Sequence, residues 1–323
     1  MLDRYGRVIN YLRISVTDRC NLRCCYCMPE GVQDVGMKDI LTFEEIWEIV
    51  RTGVSLGITH IRITGGEPLV RKDCVDLIRG IREISGVETI TMTTNGVLLG
   101  NYGKQLKEVG VDGVNISLDT LNPEEFYKIT GKRELQEVLA GIRAAKTAGL
   151  PVKLNAVNRK ELDPIPLVRY AQEENLPLRF IEMMPVGYGK KYVGRSNEEL
   201  RETLEAVCGK AECMTNREEL SRMGSGPAVY YQFSDLKVPV GFISAIHGKF
   251  CDTCNRVRLT AEGYLKLCLC YDEGEDLRRV LREGEKENLR TIMEQTIFRK
   301  PAAHCFEHPA EMTETHEMVK IGG

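Results

Sequence analysis

The sequence predicts an α/β protein, in which a partial (βα)6 TIM-like barrel is followed by a smaller C-terminal α+β domain. Short β-rich runs alternate six times with amphipathic helical runs before Cys213, and this alternation implies parallel strands joined by right-handed helical crossovers. Beyond that point, short strands and a hairpin replace the alternation. The length of 323 residues suits a barrel of roughly 200–250 residues with an addition. We therefore expect the barrel in residues 1–213 and the second domain in residues 214–323.

The six strands of the barrel are runs of β-branched, aromatic and aliphatic residues, which favour extended structure. They are predicted over residues 11–16, 60–64, 87–93, 113–118, 151–157 and 178–183. Helical segments are predicted over residues 43–56, 74–84, 102–109, 123–148, 165–174 and 197–207. The first helix has the clearest start, because Thr42 and Glu45 form the pattern of a capping box. Six units fall short of the eight that close a TIM barrel, so we expect an open barrel.

The C-terminal part begins with a glycine-rich loop over residues 223–227 and has no fixed repeat. Strands are predicted over residues 229–233 and 238–245, followed by a hairpin of residues 256–260 and 264–269. Charged helices are predicted over residues 275–282 and 286–298. The tail, residues 301–323, shows no clear periodicity.

Charge and hydropathy narrow the function classes. Lys and Arg number 44 and Asp and Glu 47, which leaves a net charge of −3 and argues against general nucleic-acid binding through phosphate neutralisation. No stretch approaches the about 18 apolar residues of a membrane-spanning helix, and the N-terminus lacks the apolar core of a secretory signal. We therefore expect a cytoplasmic protein, in which the 12 cysteines serve metal binding or redox chemistry rather than disulfides.

Three cysteines lie on a short segment directly after the first predicted strand. Cys20, Cys24 and Cys27 have the spacing C-x3-C-x2-C, and they would lie on the rim of the barrel where the strands end. Three thiolates on one tight loop suit an iron–sulfur cluster that keeps one iron open. A zinc knuckle or a set of redox-active thiols is the alternative. Cys25 is interpreted as a bystander, since adjacent residues rarely point at the same metal.

This loop resembles the radical S-adenosylmethionine (radical SAM) superfamily, in which C-x3-C-x-Tyr-Cys after the first strand holds a [4Fe-4S] cluster whose open iron binds SAM. The sequence Gly-Gly-Glu-Pro over residues 65–68, after the second strand, resembles the element of that family that binds the amino group of SAM. Its glycines permit a close approach of the backbone, and Glu67 can face an ammonium group. The resemblance implies that SAM is bound by Tyr26, Gly66, Glu67, Ser117 and Met184.

A second set of cysteines lies on the predicted hairpin of the C-terminal part. Cys251, Cys254 and Cys268 have the spacing C-x2-C-x13-C, which is compatible with a zinc ribbon lacking one ligand or with a second cluster held by three thiolates. Arg256 and Arg258 alternate along the strand between them, so both guanidinium groups point to the same side. Two arginines beside a metal site suit a phosphate-bearing or otherwise anionic ligand. The chain contains no P-loop motif.

The two cysteine motifs together resemble the GTP 3′,8-cyclase family within the radical SAM superfamily. The resemblance also covers residues 12–21, 62–68, 179–182, 300–301 and 321–323. It implies two [4Fe-4S] clusters, one held by Cys20, Cys24 and Cys27 and the other by Cys251, Cys254 and Cys268. It implies a GTP site formed by Arg13, Arg62, Thr93, Lys153, Arg179, Arg256, Val257 and Arg258. Its catalytic residues would be Arg13, Arg256, Arg258, Gly322 and Gly323.

The reaction implied by this resemblance converts GTP to (8S)-3′,8-cyclo-7,8-dihydroguanosine 5′-triphosphate, the first step of molybdenum cofactor biosynthesis. A 5′-deoxyadenosyl radical derived from SAM takes the hydrogen at C3′ of the ribose, and C3′ then attacks C8 of guanine. The family resemblance further implies an external one-electron donor, a homodimer and a downstream cyclic pyranopterin monophosphate synthase. Nucleic acid and membrane are not expected as partners.

Several alternatives stay open. The chain could be a two-cluster radical SAM enzyme acting on a different substrate, such as a peptide, or a zinc-bearing binding module without catalysis. Cys270 could act as a fourth ligand of the second cluster. His304 and His308 could form a metal-binding face on a helix, although a contact of the tail is the preferred interpretation. The scattered cysteines are interpreted as ordinary packing residues; they are Cys74, Cys208, Cys213 and Cys305.

Overall fold

One mixed β-sheet organises the molecule. The computed structural model describes residues 1–31, 35–192, 194–224 and 226–322, and twelve strands lie within them. The strands are β1 (Tyr11–Ser15), β2 (His60–Thr64), β3 (Thr89–Thr94), β4 (Gly113–Ser117), β5 (Val152–Asn158), β6 (Leu178–Glu182), β7 (Ala211–Cys213), β8 (Val229–Phe233), β9 (Val240–Ile243), β10 (Arg256–Leu259), β11 (Tyr264–Lys266) and β12 (Gly274–Asp276). Their order across the sheet is β12-β11-β10-β1-β2-β3-β4-β5-β6-β9-β8-β7.

Strands β1 to β6 are parallel and adjacent in sequence order, which confirms the predicted six-stranded core of the barrel. The order is linear and ends at β12 and β7, so the barrel is open. Strand β10 joins β1 in parallel, and β9 joins β6 in parallel. The chain beyond residue 213 therefore extends the same sheet at both edges, and the domain boundary at that residue stays a prediction.

Helices cover the outer face of the sheet. They are α1 (Phe43–Ser55), α2 (Cys74–Arg82), α3 (Leu99–Glu108), α4 (Pro123–Thr130), α5 (Leu135–Thr147), α6 (Ile165–Glu173), α7 (Asn197–Cys208), α8 (Arg217–Arg222), α9 (Leu277–Arg282) and α10 (Leu289–Phe298). Short 3-10 turns cover Met37–Asp39, Pro68–Val70, Gly187–Lys191, Cys251–Thr253, Lys286–Asn288 and Pro309–Glu311.

Local chemistry explains where several of these elements begin and end. The predicted capping box of α1 is present, since the Glu45 N–H donates to Thr42 Oγ1 at 3.2 Å and the Thr42 N–H donates to Glu45 Oε2 at 2.8 Å. The predicted helical segments over residues 123–148 are two helices, and the break falls at Gly131, which adopts a left-handed conformation (φ +69°) and ends α4. The predicted helix over residues 275–282 begins later, at Leu277, since Gly274–Asp276 pairs with β11 as a strand.

The core lies between the sheet and its helices, and this arrangement defines the lumen of the barrel. Leu12 and Ile14 of β1 are fully buried in this core. Arg13 lies between them, and because side chains alternate along a strand it points to the opposite face. Ile61 and Ile63 flank Arg62 on β2 in the same way. The sequence alternation thus places basic side chains on the inner face of the barrel.

Candidate active site

The first thiol set lies on the loop that follows β1. Cys20, Cys24 and Cys27 are half-buried, and the loop turns where the Cys27 N–H donates to the Cys24 carbonyl oxygen at 2.9 Å. Burial raises the pKa of Cys20 to about 11 and that of Cys27 to about 12. The pKa of Cys24 lies well above its usual range, first because of burial and then because of the nearby Cys27 and Asp119. Thiols that oppose one another's ionisation face a common space, and the positive charge of iron placed there would hold them as thiolates.

Rim residues of three neighbouring strands hold this loop. Tyr26 donates its hydroxyl to Asp119 Oδ2 at 2.8 Å, and Asp119 Oδ1 accepts from the Val157 N–H at 2.9 Å. Asn95 donates its Nδ2 to Asn21 Oδ1 at 2.8 Å. The loop therefore has one orientation, fixed by the ends of β3, β4 and β5.

The glycine-rich turn after β2 packs directly against the same loop. The Gly66 N–H donates to the Thr17 carbonyl oxygen at 2.7 Å. A Cβ on Gly66 would lie 2.4 Å from the carbonyl oxygen of Arg19 and 2.6 Å from that of Asp18. Both are backbone atoms, so only glycine allows this approach. The geometry agrees with the predicted close approach, and the contact of Gly66 with SAM stays a prediction.

Glu67 lies beneath this turn and is completely buried. Its Oε1 accepts from the Leu69 N–H at 3.1 Å and from Thr94 Oγ1 at 2.8 Å, and its Oε2 accepts from the Asn95 N–H at 2.7 Å. Burial raises the pKa of Glu67 to about 7, although these hydrogen bonds oppose the shift. In this structure the carboxylate joins two rim loops to each other, and its contact with the ammonium group of SAM stays a prediction.

The other two residues predicted to bind SAM lie at strand ends on the same rim. Ser117 is the last residue of β4 and is exposed. Met184 follows β6, is half-buried, and packs with Ile321 of the tail in a small apolar cluster. All five predicted SAM residues thus lie at or just beyond the carboxyl ends of the barrel strands, and their contacts with SAM stay predictions.

A row of cations crosses the lumen below this rim. Arg258 on β10, Arg13 on β1 and Arg62 on β2 are register partners on adjacent strands. Burial, and then repulsion from Arg256, lowers the pKa of Arg258 to about 10. Burial also lowers the pKa of Arg13 well below its usual range, with added repulsion from Arg258 and Arg62. Like charges held together away from water favour an anionic ligand. Val257 is fully buried in the core, so its side chain lies outside this row.

Strands β3 to β6 contribute the remaining polar residues of the lumen. Lys153 on β5 is the register partner of Asn115 on β4, which in turn is the partner of Thr93 on β3. Burial, and then repulsion from Arg179 and Arg62, lowers the pKa of Lys153 to about 8. Arg179 on β6 is itself buried, which lowers its pKa. The predicted GTP residues therefore lie together inside one barrel.

The second thiol set lies at the opposite end of the barrel. Cys251 and Cys254 precede β10, whereas Cys20 follows β1, and β10 and β1 are parallel. Cys268 follows β11, which is antiparallel to β10, so it returns to the end where Cys254 lies. The five residues of β1 span about 17 Å. The cation row therefore lies between two thiol sets that are separated by a distance of that order.

Two cations and one backbone N–H act on the second thiol set. Burial raises the pKa of Cys254, but Lys300 and Arg256 lower it more strongly, to about 7. Burial raises the pKa of Cys251, whose sulfur accepts from the His304 N–H at 3.5 Å. A thiol pKa near neutrality beside two cations is typical of a site that binds metal as thiolate.

A polar cavity of about 540 Å³ opens beside this second set. A volume of this size accommodates a small organic ligand. Its lining residues are Gly6, Arg7, Val8, Asn10, Gly226, Pro227, Asp252, Thr253, Asn255 and Arg256. A Cβ on Gly226 would lie 4.0 Å from Arg179 Nη1, so the cavity adjoins the lumen.

The C-terminal tail returns to the same lumen. Arg258 Nη1 donates to the Gly322 carbonyl oxygen at 2.7 Å. Gly322 is buried with φ +78°, and a Cβ on it would lie 3.3 Å from Cβ of Ser15 and 3.8 Å from Cγ2 of Thr64. A glycine therefore fits this approach to β1 and β2. Gly323 lies outside the described residues, and the catalytic role of the pair stays a prediction.

Neither thiol set is spaced for a single small ion. Among the described residues, the three metal-ligating side chains whose ligand atoms lie within 4.8 Å of one another are those of Asp272, Glu314 and His316. Zinc–sulfur bonds of about 2.3 Å would bring thiolates within about 3.8 Å of one another. That the second thiol set holds a cluster rather than zinc stays a prediction. Glu314 already pairs with a cation, since it accepts a hydrogen bond from Lys266.

The structure also places the remaining cysteines and histidines. Cys270 Sγ lies 2.9 Å from Cys305 Sγ inside an apolar cluster against which Cys268 also packs, and the alternative that Cys270 is a fourth ligand stays open. Strand β11 ends at Lys266, and the shared strand face of Cys268 and Cys270 is therefore absent. The predicted helical metal face at residues 304–308 is wrong, because this segment is not helical.

Sequence reasoning missed three residues at this site. Asn115 and Asn155 are lumen residues. The alternation of side chains along a strand could have indicated them, since they lie two positions from Ser117 and Lys153 on the same strands and therefore share their face. Arg159, just after β5, donates to Cys25 Sγ at 3.2 Å. Nothing in the local sequence indicates that contact, because the two residues lie far apart along the chain.

Comparison with known proteins defines the family. Residues 14–164 match the model of the Radical SAM superfamily, and residues 176–306 match the model Molybdenum Cofactor Synthesis C. The GTP 3′,8-cyclase of Clostridium perfringens (strain 13 / Type A) is 42% identical over 330 residues, covering 100% of both chains. That of Thermodesulfovibrio yellowstonii is 44% identical over 332 residues, again covering 100% of both. The chain belongs to the GTP 3′,8-cyclase family.

Membership in this family implies SAM and an iron–sulfur cluster, and the residues present fit both groups. Cys20, Cys24 and Cys27 face a common space on the rim, beside the turn at Gly66 where only glycine fits. A crystal structure of Streptococcus suis SuiB bound to S-adenosylmethionine shares the fold, with a TM-score of 0.65 at 15% identity over 97% of this chain and 77% of that one. No helix of the described residues is both long and apolar enough to span a bilayer.

Proposed function

We propose that this chain converts GTP to (8S)-3′,8-cyclo-7,8-dihydroguanosine 5′-triphosphate, the first step of molybdenum cofactor biosynthesis. The proposal is carried by one observation, the half-buried row of Arg258, Arg13 and Arg62 between two thiol sets at opposite ends of one barrel. A row of desolvated guanidinium groups fits a triphosphate, and its position suits a substrate held between the SAM end and the auxiliary end.

The first thiol set, with Cys20, Cys24 and Cys27, would hold the cluster that binds SAM. When bound, the cluster and SAM supply a 5′-deoxyadenosyl radical that takes the hydrogen at C3′ of the ribose. The protein contributes orientation: the bond from Tyr26 to Asp119 fixes the loop, and the turn at Gly66 seals it against β2. We propose that Cys251, Cys254 and Cys268 hold an auxiliary [4Fe-4S] cluster near the guanine.

The lumen residues would hold the triphosphate and keep the ribose in place. Arg13, Arg62 and Arg258 supply forked donors, and Lys153 supplies a point charge. Gly322, whose carbonyl oxygen accepts from Arg258, would orient that guanidinium group. An external one-electron donor, a homodimer, a downstream cyclic pyranopterin monophosphate synthase and a cytoplasmic location complete the proposal.

The test is anaerobic turnover of the protein reconstituted with iron and sulfide. Incubation with SAM, a reductant and GTP should release 5′-deoxyadenosine together with the cyclised nucleotide, and replacing GTP by ATP should abolish the cyclised product. The variant Cys24→Ser, which removes one thiolate of the first set, is the matched control and should release no 5′-deoxyadenosine. If protein with a full iron and sulfide content releases no 5′-deoxyadenosine in response to GTP, the proposed reaction is refuted and a different substrate, such as a peptide, is favoured. In anaerobically purified protein before reconstitution, a content of zinc without iron or sulfide would exclude the enzymatic function.

A further inference from the structure

A buried guanidinium group and two asparagines form a network in the lumen. Arg179 is only 5% exposed. Its Nε donates to Asn155 Oδ1 at 2.9 Å, and its Nη2 donates to Asn115 Oδ1. Asn155 is the register partner of Arg179 on the adjacent strand, and Asn115 lies one strand further along the sheet. The network therefore links three neighbouring strands of the barrel.

The space around Arg179 is fixed by the next strand. A Cβ on Gly241 of β9 would lie 2.9 Å from Arg179 Cγ and 2.8 Å from Tyr230 Cε1. The absence of a side chain at Gly241 leaves the space in which the arginine stem lies between β6 and β9. The guanidinium group thus has one position, and the two amides that it contacts are aligned by it.

The chemistry of the pair dictates which way each amide faces. A guanidinium group has five N–H donors and no acceptor, so the atom of Asn115 or Asn155 that faces Arg179 must be the carbonyl oxygen. Each amide then turns its NH2 group the other way. Among the residues that the structure describes, neither Nδ2 has a hydrogen-bond partner. Arg179 thereby converts two groups that could donate or accept into donors only.

Asn115 lies within the proposed triphosphate site. Its register partners are Thr93 on β3 and Lys153 on β5, both predicted to bind GTP. We propose that Asn115 is a further substrate-binding residue that donates its NH2 group to the nucleoside triphosphate, and that Arg179 is a positioning residue that fixes this amide. The inference rests on the proposed function, since it takes the lumen to hold such a triphosphate. Without Arg179 the amide can turn its oxygen toward the phosphates and repel them.

The test compares an amide with its isosteric acid. Asn115→Asp keeps the acceptor for Arg179 but replaces the NH2 donor by a second carboxylate oxygen, so GTP should bind at least tenfold more weakly. Asn115→Ala removes the donor, together with the acceptor for Arg179, but adds no negative charge, so its loss of GTP affinity should be smaller. Asn122→Asp is the matched control outside the barrel, because Asn122 caps α4 through its oxygen and aspartate caps equally well. Dissociation constants for GTP, inorganic triphosphate and SAM are measured anaerobically by equilibrium dialysis. The constant for SAM should stay at the wild-type value in every variant.

The positioning role is tested by a double-mutant cycle. Arg179→Lys keeps the charge but loses the fork that aligns the amides, and it should weaken GTP binding about tenfold. If Arg179 acts through Asn115, the double variant Arg179→Lys with Asn115→Asp should bind no more weakly than Asn115→Asp alone. Losses that multiply in the double variant would overturn the positioning role, and an unchanged affinity of Asn115→Asp for triphosphate would overturn the binding role.

The outcomes separate this inference from the proposed function. If the variants lose stability, the order of the GTP affinities of Asn115→Asp and Asn115→Ala still decides, because both change the same side chain and only the aspartate adds a negative charge. A wild-type protein whose triphosphate affinity depends on Asn115, but which forms no product from GTP, would support the inference while refuting the proposed reaction. Equal losses in the Asp and Ala variants would refute the donor role of the amide.

Discussion

GTP binding should weaken as the pH rises through about 8, because Lys153 loses its charge there. Burial, with repulsion from Arg179 and Arg62, lowers the pKa of this ammonium group to about 8. Below that pH the side chain is protonated and can neutralise a phosphate oxygen. Above it the free protein is neutral at this position, so binding a triphosphate must first restore a proton. The sign is therefore a loss of affinity with rising pH.

The magnitude follows from the protonated fraction of Lys153. With a pKa of about 8, roughly one molecule in eleven carries the charge at pH 9, so the affinity falls about tenfold relative to low pH, or about 1.4 kcal/mol. At pH 7 about nine molecules in ten are protonated, and little change is expected below that value. Lys153→Arg replaces the group by a guanidinium that stays charged throughout this range, and its profile should be flat.

The assay is the dissociation constant of GTP between pH 7 and 9.5, measured anaerobically at constant ionic strength without reductant. SAM binding, which does not involve Lys153, provides the internal control for cluster loss at high pH. A wild-type curve as flat as that of Lys153→Arg would refute the reasoning, because it would mean that the ammonium group does not contact the phosphates. An Arg variant that loses affinity over the same range would assign the titration to another group.

Three further predictions concern the loops, the second thiol set and the tail. Gly66→Ala places a Cβ 2.4 Å from a backbone oxygen. We expect the affinity for SAM, measured by equilibrium binding, to fall more than tenfold. Overpacking should also lower the free energy of unfolding by about 1–3 kcal/mol. Cys268→Ser should lower the iron content of reconstituted protein by roughly half, whereas Cys270→Ser should leave it unchanged, since the Cys270 thiol is buried against the thiol of Cys305. Lys266→Met leaves the buried carboxylate of Glu314 without its ammonium partner, and urea unfolding should show a loss of about 3–5 kcal/mol.

Each of these predictions has an outcome that contradicts it. Wild-type SAM affinity in Gly66→Ala would mean that the two rim loops can separate without consequence. Equal iron loss in Cys268→Ser and Cys270→Ser would make Cys270 a ligand after all. A Lys266→Met protein as stable as wild type would mean that His316, which also contacts Glu314 at 2.8 Å, compensates for the missing ammonium group.

The barrel could be predicted from sequence because its signals are local. Each parallel strand is a short apolar run, each helix is amphipathic, and Thr42 with Glu45 marks a helix start within four residues. The same parity that buries Leu12 and Ile14 places Arg13 in the lumen. Alternation alone predicted a shared face for Arg256 and Arg258, whereas Arg13 and Arg62 were expected in the same site from the family resemblance.

The errors of prediction arose where tertiary contacts override local pattern. Residues 275–282 were predicted as one charged helix, but the first two belong to β12, which pairs with β11, and Asp276 then caps α9. Cys268 and Cys270 were expected on one strand face, but β11 ends at Lys266, and the chain beyond it turns Cys270 toward Cys305. No local sequence feature indicates such a partner 35 residues away.

The placement of the two thiol sets at opposite ends of the barrel depends on one long-range strand pairing, that of β10 with β1. The sequence places Cys20 after one strand and Cys254 before another, and the spacing alone allows the two sets to share an end or to face each other. Because β10 pairs with β1 in parallel, they lie at opposite ends of the same pair of strands. An antiparallel pairing would have brought both sets to one rim and left the arginines outside them. The direction of β10 thus decides that a triphosphate held by Arg13 and Arg258 has one thiol set at each end.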